Sequence, residues 1–589
     1  YRRFFSISEL IGVRVEDPEV FEATHATILR LLHEGVLDGL RIDHPDGLAD
    51  PDGYLRRLHE ATGGRWTVVE KILADGEALP ASWPVAGTTG YDALRHIDGL
   101  FVDPAGFGDL LGQYRRFAAP PADRGGDWDA TVRRAAYKVL NHELAAETDR
   151  LTRVASRLCA TSPEPALRDR APWALRTALV ELLVRLEVYR PYASVDASRV
   201  VTEEAAAEAR RAFTVPEEAE AVDVVRDLVL GRYGDGPQHQ EFRARFAQTS
   251  SALRAKSVED TAFYRFVPLL SANEVGGEPG SPAVPPERFH QYCSRLQRDW
   301  PATGTVVSTH DTKRSADVRA ALHVLTECPE RWADLLTEVT RTGEGVPDAQ
   351  LAWAAWQTVF GLGPAEEERV QGALSKHVRE AGLHTSWTEQ DPSYEETVAR
   401  FVAAGPCGGP GERVARLRAA LEPHIRANVL GTALLHLTMP GVPDVYQGTE
   451  HEYRALVDPD NRRPVRFDGT GEDGDGGPGS KAAVTRAALR LRARLPEVFG
   501  ETATYQPLPA EGPAASHCVA FVRSGRALTA VTRLSLRLDR AGGWRDTRLT
   551  LPPGRWTDVL GTGRVFESQV RAEDLFAPLP VALLERTGE

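Results

Sequence analysis

An α/β fold with parallel strands is predicted by three short stretches that share one form. In Gly39–Leu48 (GLRIDHPDGL), Thr67–Lys71 (TVVEK) and Thr305–Lys313 (TVVSTHDTK), a short apolar run of the kind buried in parallel sheets ends in charged groups. Each run delivers a carboxylate at its C-terminal end: Asp43, Glu70 and Asp311. Burying Arg41 and Asp43 without a purpose would be expensive. In a (β/α)8 barrel the C-terminal strand ends are where active sites are built, so the three stretches predict an enzyme of that α/β class.

The first element expected is a helix over residues 17–35, with Asp17 as N-cap, Pro18 at the first helical position and Gly35 as the stop. Val20, Phe21, Ile28, Leu31 and Leu32 share one face. The strand to Asp43, a helix around Tyr54–Glu60 and the strand to Glu70 continue an αβαβ order, which implies a parallel sheet. From about Pro104 to Lys256 the pattern is helical, with Leu-, Ala- and Arg-rich runs such as Trp173–Leu186, and reads as an inserted subdomain whose Arg-rich helices present solvated faces or, alternatively, cover the cleft or form a protein interface. Strand signals return at Ala262–Phe266 and Thr305–Asp311, and a second helical excursion fills roughly Pro329–Arg426. Another strand-like turn follows at Pro440–Glu450 (PGVPDVYQGTE). The Gly/Asp-rich tract Asp468–Ser480 reads as a flexible surface loop, and Lys481–Arg494 as a helix. Alternating runs at Cys518–Val522, Ala527–Leu538 and Arg548–Leu551 predict an antiparallel β-domain. The expected division is a barrel part over 1–105, a helical insertion over 106–255, a barrel part with the third carboxylate over 256–328, a second helical insertion over 329–428, the last barrel strand and helix over 429–495, and the β-domain over 496–589. No internal repeat is visible.

With 589 residues, 42% hydrophobic and 26% charged, the chain can bury several cores. A net charge of -14 argues against nucleic acid or an anionic membrane as partner, and favours a neutral substrate. Cys159, Cys293, Cys328, Cys407 and Cys518 are scattered without CxxC spacing, which predicts reduced thiols and a cytoplasmic setting. Metal-site spacing is absent, so no metal is expected. No apolar run approaches the ~20 residues of a membrane span, and no signal peptide is visible.

Two of the carboxylates suit a specific chemistry. A sugar acetal is cleaved with retention when one carboxylate attacks the anomeric carbon and a second, ~5 to 5.5 Å away, protonates the leaving oxygen. Adjacent parallel strands lie ~4.8 Å apart, so Asp43 and Glu70 on neighbouring strand ends reach that separation. Arg41, two residues before Asp43, faces the same side and would favour an ionised nucleophile. Glu70 must start protonated, and carboxylates at Asp43 and Asp311 would raise its pKa. Asp311 could hold two sugar hydroxyls and stabilise an oxocarbenium-like transition state.

The RIDH run with Asp43, the isolated Glu70 and the pair His310–Asp311 resemble the second, third and fourth signature regions of the α-amylase clan of glycoside hydrolases. Within that clan the strings YRRFFSISEL, GLRIDHPDGLADP, VVEKIL, GTTGYD, VEDTAFYRF, STHDTKRSADVRA, PGVPDVYQGTE and VDPDNRRPV resemble the maltooligosyltrehalose synthases, over Tyr1 to about Phe467. The resemblance implies Asp43 as nucleophile, Glu70 as acid/base and Asp311 as transition-state stabiliser, with Arg41, His44 and His310 touching the reacting sugar. It also implies an intramolecular transglycosylation that turns the reducing-end α-1,4 bond of a maltooligosaccharide into an α,α-1,1 bond. The clan's first signature region has no match in Tyr1–Leu37, so the expectation is a partial barrel, about strands four to eight, whose partner is an upstream segment of the same polypeptide.

Alternatives stand beside these readings. Lys71, Lys313 and Arg314 are either sugar contacts or structural counter-ions. Tyr91, Phe263 and Tyr264 either stack on pyranose faces, walling the acceptor subsite, or belong to the core. Rival functions are an α-glucan hydrolase or intermolecular transglycosylase, a metal-dependent hydrolase with Asp43, His44, His310 and Asp311 as ligands, and an inactive glucan-binding scaffold.

Overall fold

In a computed structural model of the chain, the first helix runs Pro18–His33 and begins as its sequence dictates: the Asp17 carboxylate accepts the Glu19 N–H, and Gly35 follows with a φ of 72°. The structure describes residues 3–5, 7–192, 197–342, 346–364, 366–465, 477 and 479–587. These form two units, Tyr1–Thr88 with Ala122–Ala262, and Thr89–Pro121 with Phe263–Glu589. Among the described residues no helix is long and apolar enough to cross a membrane.

The first unit opens with an antiparallel pair, β1 (Arg3–Phe4) and β2 (Ile7–Ile11). A parallel sheet follows, built of β3 (Gly39–Ile42), β4 (Trp66–Val69) and β5 (Gly87–Thr88) in that order. The helix Pro51–Thr62 makes the crossover from β3 to β4, capped by Asp50 on the Gly53 N–H at 2.9 Å and ended at Gly63. Of the apolar face expected on the first helix, only Phe21 and Leu32 are buried, and Ile28 is 42% exposed. Helices between Trp128 and Arg254 pack on a separate core in which Leu151, Leu175, Leu179, Leu182, Phe242 and Phe246 are fully buried. The helix Pro237–Arg254 runs on as a π-helical stretch, Ala255–Ala262. This corrects the strand expected at Ala262–Phe266: Phe263–Arg265 is a helical turn, because packing at the end of a long helix overrides the β-preference of aromatic residues.

In the second unit β6 (Gly304–Thr305) pairs in parallel with β7 (Val442–Pro443). Both are two residues long, shorter than the runs expected at Thr305–Asp311 and Pro440–Glu450, since beyond Thr305 the chain turns on its own threonine hydroxyls. The helix Gly411–Thr438 buries Leu430, Leu434 and Leu435 in a core shared with Val531, Leu583, Ala488 and Leu491. Helix Lys481–Arg494 has the bounds expected. The C-terminal part is an antiparallel sheet of β8 (Tyr505–Pro507), β9 (Ala510–Glu511), β10 (Cys518–Arg523), β11 (Ala527–Thr532), β12 (Arg548–Asp558), β13 (Val565–Arg571) and β14 (Val581–Arg586). Its order is β13-β12-β14-β11-β10-β8, with β9 on β12. The run Ala527–Leu538 is not one strand, because Leu534 takes a φ of 50° and opens the helix Ser535–Arg540. Within the tract 468–480, residues 468–476 and 478 lie outside the described residues.

Candidate active site

In the first unit β3 and β4 are in register, with Ile42 opposite Val69, and the ladder continues one step as the Glu70 N–H donates to the Ile42 carbonyl at 2.8 Å. Asp43 and Glu70 therefore emerge at the C-terminal ends of adjacent strands. Asp43 is exposed, and its Oδ1 lies 2.7 Å from a guanidinium nitrogen of Arg41. Glu70 is half-buried. Burial and the Asp43 charge raise its pKa from 4.5 to about 8; the Glu259 carboxylate adds to this, while the His44 N–H and Arg41 oppose it. That N–H reaches Glu70 Oε2 at 3.0 Å from a residue with a φ of 44°, a left-handed conformation that non-glycine residues adopt at a cost of order 1–3 kcal/mol. The His44 ring packs 4.8 Å from that of Phe5.

Glu259, on the π-helical stretch, takes a hydrogen bond from the buried Tyr189 hydroxyl. Sequence reasoning missed it, although it stands inside the VEDTAFYRF string. Lys71 corrects an expectation. Its side chain is fully buried, and its three protons are committed to Asp46 (3.3 Å), Glu77 (2.9 Å) and the Ile72 carbonyl (2.9 Å). The rings of Tyr189 and Tyr192 flank it. It is a structural counter-ion with no proton left for a sugar. The helical region also holds the loop after Asp43: Arg190 donates to the carbonyls of Asp46 (2.7 Å), Leu48 (2.5 Å) and Ala49 (3.1 Å), and Gln248 to that of Gly47 (3.1 Å).

In the second unit Asp311 is exposed, with Oδ2 2.8 Å from His310 Nε2 and Oδ1 3.9 Å from an Arg462 nitrogen. Arg462 had drawn no role from the sequence. The Lys313 side chain is half-buried. Arg314 is turned inward, its guanidinium donating to the Leu270 carbonyl at 3.2 Å, and this corrects the sugar-contact expectation for it. The stacking expectation is corrected for all three aromatics. Phe263 and Tyr264 are 3% and 8% exposed, the latter edge-on to His377. Tyr91 is 2% exposed, with its hydroxyl 2.8 Å from Thr309 Oγ1. Among the described residues, no three His, Cys, Asp or Glu side chains cluster as metal ligands do.

An exposed, arginine-paired carboxylate beside a half-buried acid of raised pKa, on neighbouring strand ends, is a pairing of the kind carbohydrate-active enzymes use. No protein-family model matches the sequence. A Mycobacterium tuberculosis protein described as a maltooligosyl trehalose synthase is 40% identical over the whole of this chain, which spans 74% of that relative. Among solved structures, the maltooligosyltrehalose synthase of Arthrobacter ramosus superposes with a TM-score of 0.89 at 40% identity, over 100% of this chain and 75% of that one. A hypothetical maltooligosyl trehalose synthase of Sulfolobus tokodaii gives 0.77 at 27% identity, over 99% and 74%. The chain belongs to the maltooligosyltrehalose synthase family.

Proposed function

We propose that this chain converts the reducing-end α-1,4 bond of a maltooligosaccharide into an α,α-1,1 bond by intramolecular transglycosylation. The observation that carries the reading is the 40% identity, along the entire chain, to a protein described as a maltooligosyl trehalose synthase.

The roles follow from the chemistry of each group. Asp43 is the nucleophile, a role supported by its exposure and by the positive charge of Arg41 beside it. Glu70 is the acid/base: with a pKa near 8 it holds its proton at neutral pH and can deliver it to the departing oxygen. Asp311, exposed and flanked by His310, binds sugar hydroxyls and meets the positive charge of the transition state. Arg41, His44, His310 and Lys313 complete the contacts to the sugar. Two carboxylates supply attack and protonation, so no cofactor enters the scheme. The freed glucose must outcompete water at roughly 55 M, which well-oriented neighbours do through effective molarities of about 10⁵ to 10⁸ M.

The parallel strands β3–β5, and likewise β6 and β7, are read as segments of a (β/α)8 barrel, about strands four to eight, supported by Asp43 and Glu70 at the C-terminal ends of β3 and β4. A cytoplasmic setting is supported by five cysteines, all free thiols. The test of the function is the product formed from maltopentaose. Loss of reducing ends without release of glucose is the expected result. Glucose and maltotetraose in equal amounts would make the protein a hydrolase, and entry of labelled glucose from solution would make it an intermolecular transglycosylase.

A further inference from the structure

The loop that carries Asp311 has almost no regular secondary structure, yet nearly every backbone group in it is taken by a side chain. The Thr309 hydroxyl accepts the N–H groups of Asp311 (3.1 Å) and Thr312 (3.2 Å), and lies 2.8 Å from the Tyr91 hydroxyl. The carboxylate of Glu274 accepts the next two, from Lys313 (2.7 Å) and Arg314 (3.0 Å). From the carbonyl side, the carboxamide of Asn461 donates to His310 (2.9 Å) and Thr312 (3.1 Å), with a longer contact to Thr309 (3.4 Å). Those carbonyls bracket Asp311.

Neither outer group can reach a substrate. Asn461 is 2% exposed and Glu274 1% exposed. Both are themselves fixed. The Asn461 backbone carbonyl accepts the hydroxyls of Tyr446 (3.0 Å) and Tyr453 (2.9 Å), and Glu274 meets Arg319, which is bound in turn to Asp98 at 2.6 Å. Asn461 sits inside VDPDNRRPV, a string to which the proposed chemistry assigns no role. A carboxylate that stabilises a transition state must be held within a fraction of an ångström, and an irregular loop supplies no such rigidity by itself.

We propose that Asn461 and Glu274 are positioning residues that clamp the Asp311 loop from its carbonyl and N–H sides, so that Asp311 is aimed before substrate arrives. The inference rests on the reading of Asp311 as the third functional carboxylate, and the test separates the two. Asp311→Asn, Asn461→Ala and the double variant are compared on maltopentaose and on an activated maltosyl fluoride. Asp311→Asn is expected to lose about 10³-fold in kcat, the size of loss such preorganised groups show. Asn461→Ala should lose about 10- to 100-fold in kcat with KM within about threefold, the pattern of an interaction felt only in the transition state. On the fluoride the double variant should be no slower than Asp311→Asn alone, because a misaimed Asp311 that is already inert costs nothing more. Losses that multiply in the double variant, or a raised KM at unchanged kcat, would overturn the clamp. An Asp311→Asn variant within tenfold of wild type would instead overturn the role of Asp311. Should Asn461→Ala fail to fold, Glu274→Gln keeps the side-chain shape, weakens the N–H side of the clamp, and must give the same non-additive pattern with Asp311→Asn.

Discussion

Glu70 shows how one residue's surroundings set a working range of pH. A carboxyl group held at about 8 is protonated at neutral pH and loses its proton as the pH rises through that value. In the proposed role of acid in the first step it works in the protonated form, so kcat/KM should fall on the alkaline side with an apparent pKa near 8. Glu259 contributes a negative charge that disfavours ionisation of Glu70. Removing it as Glu259→Gln should ease that ionisation and move the alkaline limb down by about 0.5–1 unit, the size expected for the loss of one neighbouring charge. Other groups act on the same carboxyl: Asp43 raises its pKa, while Arg41 and the His44 N–H lower it. A limb that stays in place, with activity reduced uniformly, would mean that Glu259 acts on the fold. At this scale Asp43 and Glu70 were legible because a charged residue at the end of a buried run is conspicuous. Lys71, Tyr91, Phe263 and Tyr264 stand in similar strings, but what decides their role is burial, set for Tyr91 and Tyr264 by Thr309 and His377, each over a hundred residues away. Glu259, Glu274 and Asn461 carry no periodicity or spacing signal. Each is a single polar residue whose partners only the fold reveals.

Elements with local causes were legible for the same reason. The helices Pro18–His33 and Pro51–Thr62 each have an aspartate cap and a proline at the first position, and Lys481–Arg494 is capped by Ser480 on the Ala483 N–H. What sequence alone leaves open is the purpose of the helical region before Ala262, whose Arg-rich helices read as solvated faces, as a cover for the cleft or as a protein interface. Arg190 shows one purpose. It is 4% exposed, and its planar fork joins three carbonyls of the loop that follows Asp43. Arg190→Ala would leave three acceptors unpaired, one buried and two partly buried, at about 1–3 kcal/mol for the buried one and less for the others, which water can reach. A loss of at least about 2 kcal/mol in urea unfolding is expected, together with a lower kcat. Arg190→Lys should recover only part of both, since an ammonium cannot match the fork. A variant as stable and active as wild type would show that the loop is held elsewhere.

For the whole molecule, the division of labour between sheets matters. The C-terminal strands close on a core of their own, with β10 and β11 buried along their full length. The sheet that bears Asp43 is smaller. Among the described residues its order is β3-β4-β5. In the same unit Ile7, Leu10, Ile11, Val13, Ile28 and Val36 are each more than 40% exposed. Exposed apolar side chains grouped in this way favour association between copies. Inactivation on gentle warming should therefore depend on protein concentration, with dilution lengthening the half-life and scattered light rising as turnover falls. A half-life that ignores concentration would place the weak point elsewhere, in unimolecular unfolding. The unit that carries Asp43 would thus also govern colloidal behaviour: a stored preparation should turn cloudy and lose its catalysis on a single clock.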